Sequence, residues 1–190
     1  MFFARRPSSQ AIERILVDSR LLPLSYGEFG IVNERPQGKR FDEQCAVIGH
    51  GSGDFERARG ALLSWKHFDI GWVETFPPRA QVEVGTVVAV LIRHFGFWSL
   101  NGARIVYLVG GNDDRRFGFA YGTLTNHAES GEELFDVFVD AETQQVMYRI
   151  RAISWPQAAI TYIGQPIVRI LQARFRRDSV EAMRRAVRIP

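Results

Sequence analysis

The chain has 190 residues, 46% hydrophobic and 24% charged, with a net charge of +3, a composition that suits one buried globular core and excludes a disordered or fibrous chain. A single cysteine excludes an intrachain disulfide and a multi-cysteine metal site, and makes a reducing cytoplasm the expected compartment. The small positive charge falls short of a dedicated nucleic-acid binder, and the longest aliphatic run, Val87 to Ile92, spans only about a third of a membrane helix.

In chain order, Met1 to Pro7 holds no apolar stretch long enough for a signal peptide, so the chain is read as soluble and uncleaved. From Ser8 to Leu22 the residues Ala11, Ile12, Ile15, Leu16 and Ser19 recur at helical spacing, with Ser8 or Ser9 as N-cap and Pro23 as terminator. Ser25 to Gly38, rich in Gly, Asn and Pro, reads as a linking loop. Residues 1–40 are therefore expected to pack, as helix and loop, on a domain formed by 41–190. Cys45 to Ile48 is a short apolar strand. Gly49-His-Gly-Ser-Gly53 follows it as a turn, and Asp54 caps a helix with Phe55, Ala58, Ala61, Leu62 and Trp65 on one face. The glycine run lacks the spacing of a dinucleotide or P-loop motif, so a structural corner is expected there.

After Trp72 the β-branched and aromatic runs Thr86–Phe95, Ala103–Gly110, Phe117–Thr125, Leu134–Val139 and Val146–Ile153 alternate with turn residues, which predicts an antiparallel meander. Ser154-Trp-Pro-Gln157 reads as a capping box opening a long helix with the stripe Ile160, Ile163, Ile167, Ile170, Leu171 and Phe175. Pro166 predicts a kink near 162–164, and Asp178-Ser179 predicts a fresh N-cap for a separate helix over 180–187.

A meander twists, and an amphipathic closing helix is the natural plug for its hollow. The expected fold is α+β, a helix-grip in which a curved antiparallel sheet of about six to seven strands wraps a long C-terminal helix. The segments Gly49-x-Gly51-x-Gly53-Asp-Phe55, Gly71-Trp72, Phe117-Gly-Phe-Ala-Tyr-Gly-Thr-Leu124, His127, Gly131-Glu-Glu133-x-Phe135 and Ser154-x-Pro156 resemble the bacterial and plant family called domain of unknown function nineteen-ninety, from about Glu43 to Met183. This chain has Trp155 where that family usually has Arg. The resemblance implies a fold similar to the START and Bet v 1 helix-grip superfamily, for a family with no agreed activity.

Strand period assigns facing. Arg149 and Arg151 outward turn Val146, Tyr148, Ile150 and Ala152 inward. Arg104 outward turns Ile105, Tyr107 and Val109 inward, and Arg93 outward turns Ile92 and His94 inward. Glycines 118 and 122 leave one sheet face bare, open to close approach by another element. A pocket lined by Trp72, His94, Tyr107, Tyr121, Tyr148, Ile163 and Ile167 is the expected binding site for a small apolar or amphipathic molecule; in a filled core the same hydroxyls would only bond backbone. His127 or His94 with Glu132 or Glu133 is the candidate acid-base pair for an alternative enzyme reading of cyclase or hydrolase type, unless His127 and the glutamates are solvated hairpin residues. No metal-ligand spacing or nucleophile elbow occurs, so neither a metal nor another cofactor is expected, and Cys45 in an apolar strand reads as inert packing. The C-terminal segment from Arg169 carries seven arginines against Asp178 and Glu181, a solvated helix face or an interaction module for nucleic acid or anionic lipid.

Overall fold

In the computed structural model of the protein, which describes residues 1–34, 39–110, 115–157 and 165–188, the β-rich half forms a continuous antiparallel meander. Its strands are β3 (Val73–Phe76), β4 (Val87–Arg93), β5 (Trp98–Val109), β6 (Arg116–Thr123), β7 (Glu129–Val139) and β8 (Gln145–Pro156). β2 (Arg40–His50) pairs with β8, and the short β1 (Phe2–Phe3) pairs with β5, completing a curved sheet of eight strands among the described residues, ordered β2-β8-β7-β6-β5-β4-β3 with β1 off this path. β2 is longer than the predicted Cys45–Ile48 because its polar N-terminal half pairs with β8 as far as Arg40 opposite Ser154. As an edge strand it leaves Cys45 exposed and not buried in apolar packing.

The inner face of the sheet carries α3 (Gly51–Leu63) and α4 (Gln165–Val187). Phe55, Ala58 and Leu62 from α3 and Leu171, Val180, Met183 and Val187 from α4 share one core with Val88, Ile105, Phe119, Phe135, Tyr148 and Ile150. This is the helix-grip arrangement, with α4 against the hollow of the sheet. The glycine corner acts structurally. Gly51 takes a φ of +76°, and the Asp54 carboxylate accepts the His50 backbone N–H at 2.7 Å, capping α3 from inside its first turn.

Two sequence expectations change at the C-terminal end. Ser154 to Pro156 continue β8 opposite Glu129 to Gly131, so they end a strand where a capping box was expected; β-pairing along both neighbours outweighs the local helix-start signal. Asp178 and Ser179 lie inside the single helix α4 and start no new one. Asp178 there accepts from Trp72 Nε1 at 3.0 Å, and the Ser179 hydroxyl bonds Tyr148 at 2.9 Å. The expected kink at 162–164 lies outside the described residues.

The outer face is covered by the N-terminal segment. α1 (Ser9–Ser19) lays Ile12 and Leu16 on Ala89, Leu91 and Leu100. The following loop, with α2 (Ile31–Glu34), brings Val32 against Val106, Ala120, Leu134 and Ile153. Gly122 is the point of closest approach: Tyr26 and Leu24 occupy the space a Cβ would need.

Candidate functional site

Between the inner face and α4 lies a pocket of about 180 Å³. Phe68, Trp72, Val90, Ile92, Leu171 and Phe175 supply apolar wall, whereas His127, Glu129, Glu133, Ser154, Gln172 and Arg176 supply polar groups. The pocket exists because β7 and β8 carry small or polar residues (Gly131, Ala152, Ser154) where α4 passes, leaving space that the large rings further along the sheet would otherwise fill.

Alternation along β7 sends Glu129, Gly131, Glu133 and Phe135 to the inner face and Glu132 to the outer one. Glu133 is half-buried and borders the pocket. Desolvation raises its pKa to about 7, against the counter-effects of the Tyr121 hydrogen bond and the Arg176 charge. Tyr121 donates its hydroxyl proton to Glu133 Oε2 at 2.7 Å. Burial also raises Glu129, which accepts from Gln172 Nε2 at 2.9 Å. His127 is pushed down to about 4 by burial and stays neutral at physiological pH. Its Nδ1 accepts the Glu129 backbone N–H at 3.0 Å, which places the ring proton on Nε2.

The other expected residues separate by face. Trp72 and His94 line the pocket, the latter with its Nε2 bonded to Ser99 Oγ at 2.6 Å and its pKa lowered by burial. Tyr107 does not line it. A register shift between Ile105 and Tyr107 puts one extra residue into β5, so Ile105 stays inward and Tyr107 turns outward, opposite Ala120. Val109 follows it to the outer cluster. Tyr148 does point inward but is fully buried against Ser179 and fills core away from the pocket. Ile163 lies outside the described residues. Ile167 is 48% exposed and faces away, because the pocket takes the Val168, Leu171, Gln172 and Phe175 side of α4.

Glu132 belongs to a different structure from Glu133. Its carboxylate, 2% exposed, accepts from Gly30 N at 2.7 Å, Tyr107 Oη at 2.9 Å, Tyr26 Oη at 3.0 Å and Val32 N at 3.4 Å. It buckles the N-terminal segment to the outer face, so its carboxylate and the His127 ring act on opposite sides of the sheet. Glu129, Gln172 and Arg176 were missed by the sequence reading, although the period of two already puts Glu129 and Glu133 on one face.

His67, in the turn after α3, also escaped notice. It is fully buried among Trp65, Phe68, Phe119 and Phe135 with both ring nitrogens unpaired, and burial lowers its pKa to about 3. His67→Leu is expected to stabilise the fold by about 1 kcal/mol at pH 7, since it removes an unsatisfied polar ring. The gain should widen as pH falls below 6.5, where the unfolded histidine takes up a proton that the fold refuses. Urea midpoints at pH 7 and pH 5 measure both, and a gain that does not grow at the lower pH contradicts the account.

Among the described residues no group of three or more His, Cys, Asp or Glu side chains is arranged to hold a metal, and no helix is long and apolar enough to cross a membrane. Part of the arginine-rich segment is engaged within the fold: Arg174 and Arg177 pair with Asp178, Arg184 pairs with Glu181, and Arg176 approaches Asp42 at 3.8 Å.

The family model described as "Domain of unknown function (DUF1990)" matches residues 25–182. A UPF0548 protein of Dictyostelium discoideum is 33% identical over 207 residues, covering 98% of this chain and 96% of its own length. Among solved structures, a hypothetical protein of Helicobacter pylori superposes with a TM-score of 0.56 at 9% identity, over 86% of this chain and 95% of its own. The Zhui aromatase/cyclase of Streptomyces superposes at 0.54 with 11% identity, over 78% and 93%. At these identities the structural likeness concerns the fold alone.

Proposed function

The chain belongs to the DUF1990 family, and from that premise we propose that it binds a small molecule with an apolar body in the pocket between the sheet and α4. The observation that carries this reading is the pocket's composition: an apolar wall interrupted by a few buried polar groups, Glu133 and His127 foremost, that have hydrogen-bonding capacity left over. A fully packed core would leave neither the space nor the spare capacity. Leu171→Trp, which inserts a large ring from α4, is expected to weaken binding of a fluorescent naphthyl probe at least about tenfold while leaving the fold intact. Undiminished binding by the folded variant would remove the pocket from consideration.

A second reading, acid-base chemistry on the bound molecule, draws support from Glu133, whose pKa near 7 suits proton exchange at neutral pH. His127 and Glu133 border the same pocket; Glu132 reaches its wall too, but its carboxylate is taken up by Tyr26, Tyr107, Gly30 and Val32 on the outer face. The Zhui protein, a cyclase by name, shares the fold. Turnover lost in Glu133→Gln with ligand affinity kept would separate this reading from simple carriage. The interaction-module reading would show instead as nucleic-acid or anionic-lipid affinity falling steeply with salt.

A further inference from the structure

The charged groups at and behind the pocket's polar end count one more acid than base. Around Glu133 stand Glu129 on its own strand, Asp42 on β2 and Arg176 on α4, and Arg40 on β2 holds Asp42 through a double hydrogen bond of 2.7 and 2.8 Å. Three carboxyls thus meet two guanidiniums in this set, with Tyr121 on β6 and the neutral His127 adding no charge. A half-buried group of this kind holds a surplus proton most easily where a neutral carboxyl costs least. That place is Glu133: Gln172 bonds Glu129, and two guanidiniums attend Asp42.

The neutral Glu133 has a defined orientation. Oε2 receives the only proton Tyr121 has to give, so the acid's own proton sits on Oε1. Among the described residues Oε1 has no partner, and its side chain opens into the pocket. His127 adds a second donor, because its Nδ1 is occupied as an acceptor and its Nε2–H has no acceptor among the described residues. With Arg176 directed to Asp42 at 3.8 Å, these two neutral donors call for an uncharged acceptor on the ligand.

We propose that the molecule held in this pocket carries a carbonyl group, and that Glu133 in its neutral form donates a hydrogen bond to that oxygen. This rests on the ligand-binding reading above and names the chemistry of its ligand. Ionised Glu133 would present a carboxylate to the same oxygen, so binding weakens as pH rises through the carboxyl's titration. Glu133→Gln keeps a donor in place, since the amide oxygen can accept from Tyr121 while the NH2 faces the pocket, and it does not titrate.

The experiment compares 2-acetylnaphthalene with 2-isopropenylnaphthalene, in which CH2 replaces the carbonyl oxygen, by titration at pH 5.5 and pH 8.5. The wild type is expected to prefer the ketone about tenfold at pH 5.5 and to lose that preference at pH 8.5. Glu133→Gln is expected to keep the preference at both pH values, and Glu133→Leu to lose it at both. Equal binding of the two probes at pH 5.5, or a wild-type preference unchanged at pH 8.5, overturns the carbonyl assignment while the pocket reading stands. Failure of both probes to bind at either pH overturns both.

Discussion

Glu132→Ala is expected to destabilise the protein by about 4 kcal/mol at pH 7, one of the larger losses a single side chain can cause. Truncation strips four donors of their acceptor at once: the Tyr26 and Tyr107 hydroxyls and the Gly30 and Val32 backbone N–H groups. The carboxylate is 2% exposed, so water cannot replace it without opening the outer face. The segment it holds also brings Val32 onto the cluster with Ala120 and Leu134, and some of that burial is lost with the buckle. Glu132→Gln, which keeps one acceptor oxygen, should lose roughly half as much. Denaturant unfolding measures both variants. Probe binding by folded Glu132→Ala should stay within about threefold of wild type, because the carboxylate lies across the sheet from the pocket. A stable Glu132→Ala protein with abolished probe binding would return Glu132 to the pocket chemistry and contradict its placement.

Glu133→Gln has the next largest expected effect, and its sign depends on pH. In the fold Glu133 ionises near pH 7, whereas its ordinary value is 4.5. Between these values the unfolded chain has released a proton that the folded chain still holds. The favourable contribution of Glu133 is therefore complete below pH 4.5, declines as pH rises through 7, and is absent above it. The titration gap corresponds to about 3 kcal/mol, reduced toward about 2 kcal/mol by screening from water in the pocket. Glutamine stays neutral throughout, so Glu133→Gln should match wild type below pH 4.5 and exceed its stability by about 2 kcal/mol at pH 8.5. Unfolding free energies at pH 4, 6 and 8.5 trace the curve; a pH-independent difference would mean that Glu133 ionises normally in the fold.

The two neighbouring glutamates show what was legible and what was not. Alternation along a strand places residues 132 and 133 on opposite faces, and that much follows from the spacing alone. The spacing does not say which face holds the pocket. That depends on where α4 lies and on Tyr26, Gly30 and Val32 arriving from about a hundred residues upstream. Tyr107 shows the limit from the other direction. Counting from Arg104 would turn it inward, but a single extra residue in β5 reverses the count, and no residue type between Ile105 and Tyr107 announces the bulge. Ser154 to Pro156 resembled a helix start because the local pattern fits one, yet β-pairing with β7 over Glu129 to Gly131 prevailed.

The sequence by itself determined the meander, the presence of a closing helix that meets the sheet through Leu171 and Phe175, and the apolar character of the inner face, because each is written in local periodicity and turn chemistry. Only the tertiary structure decided which acid is buried neutral, which is tied down as a strap, and where α4 leaves room against the sheet. Those outcomes arise from contacts between residues far apart in the chain. A carboxyl's pKa and a pocket's volume are properties of the surroundings it ends up in, and local sequence carries no record of those surroundings.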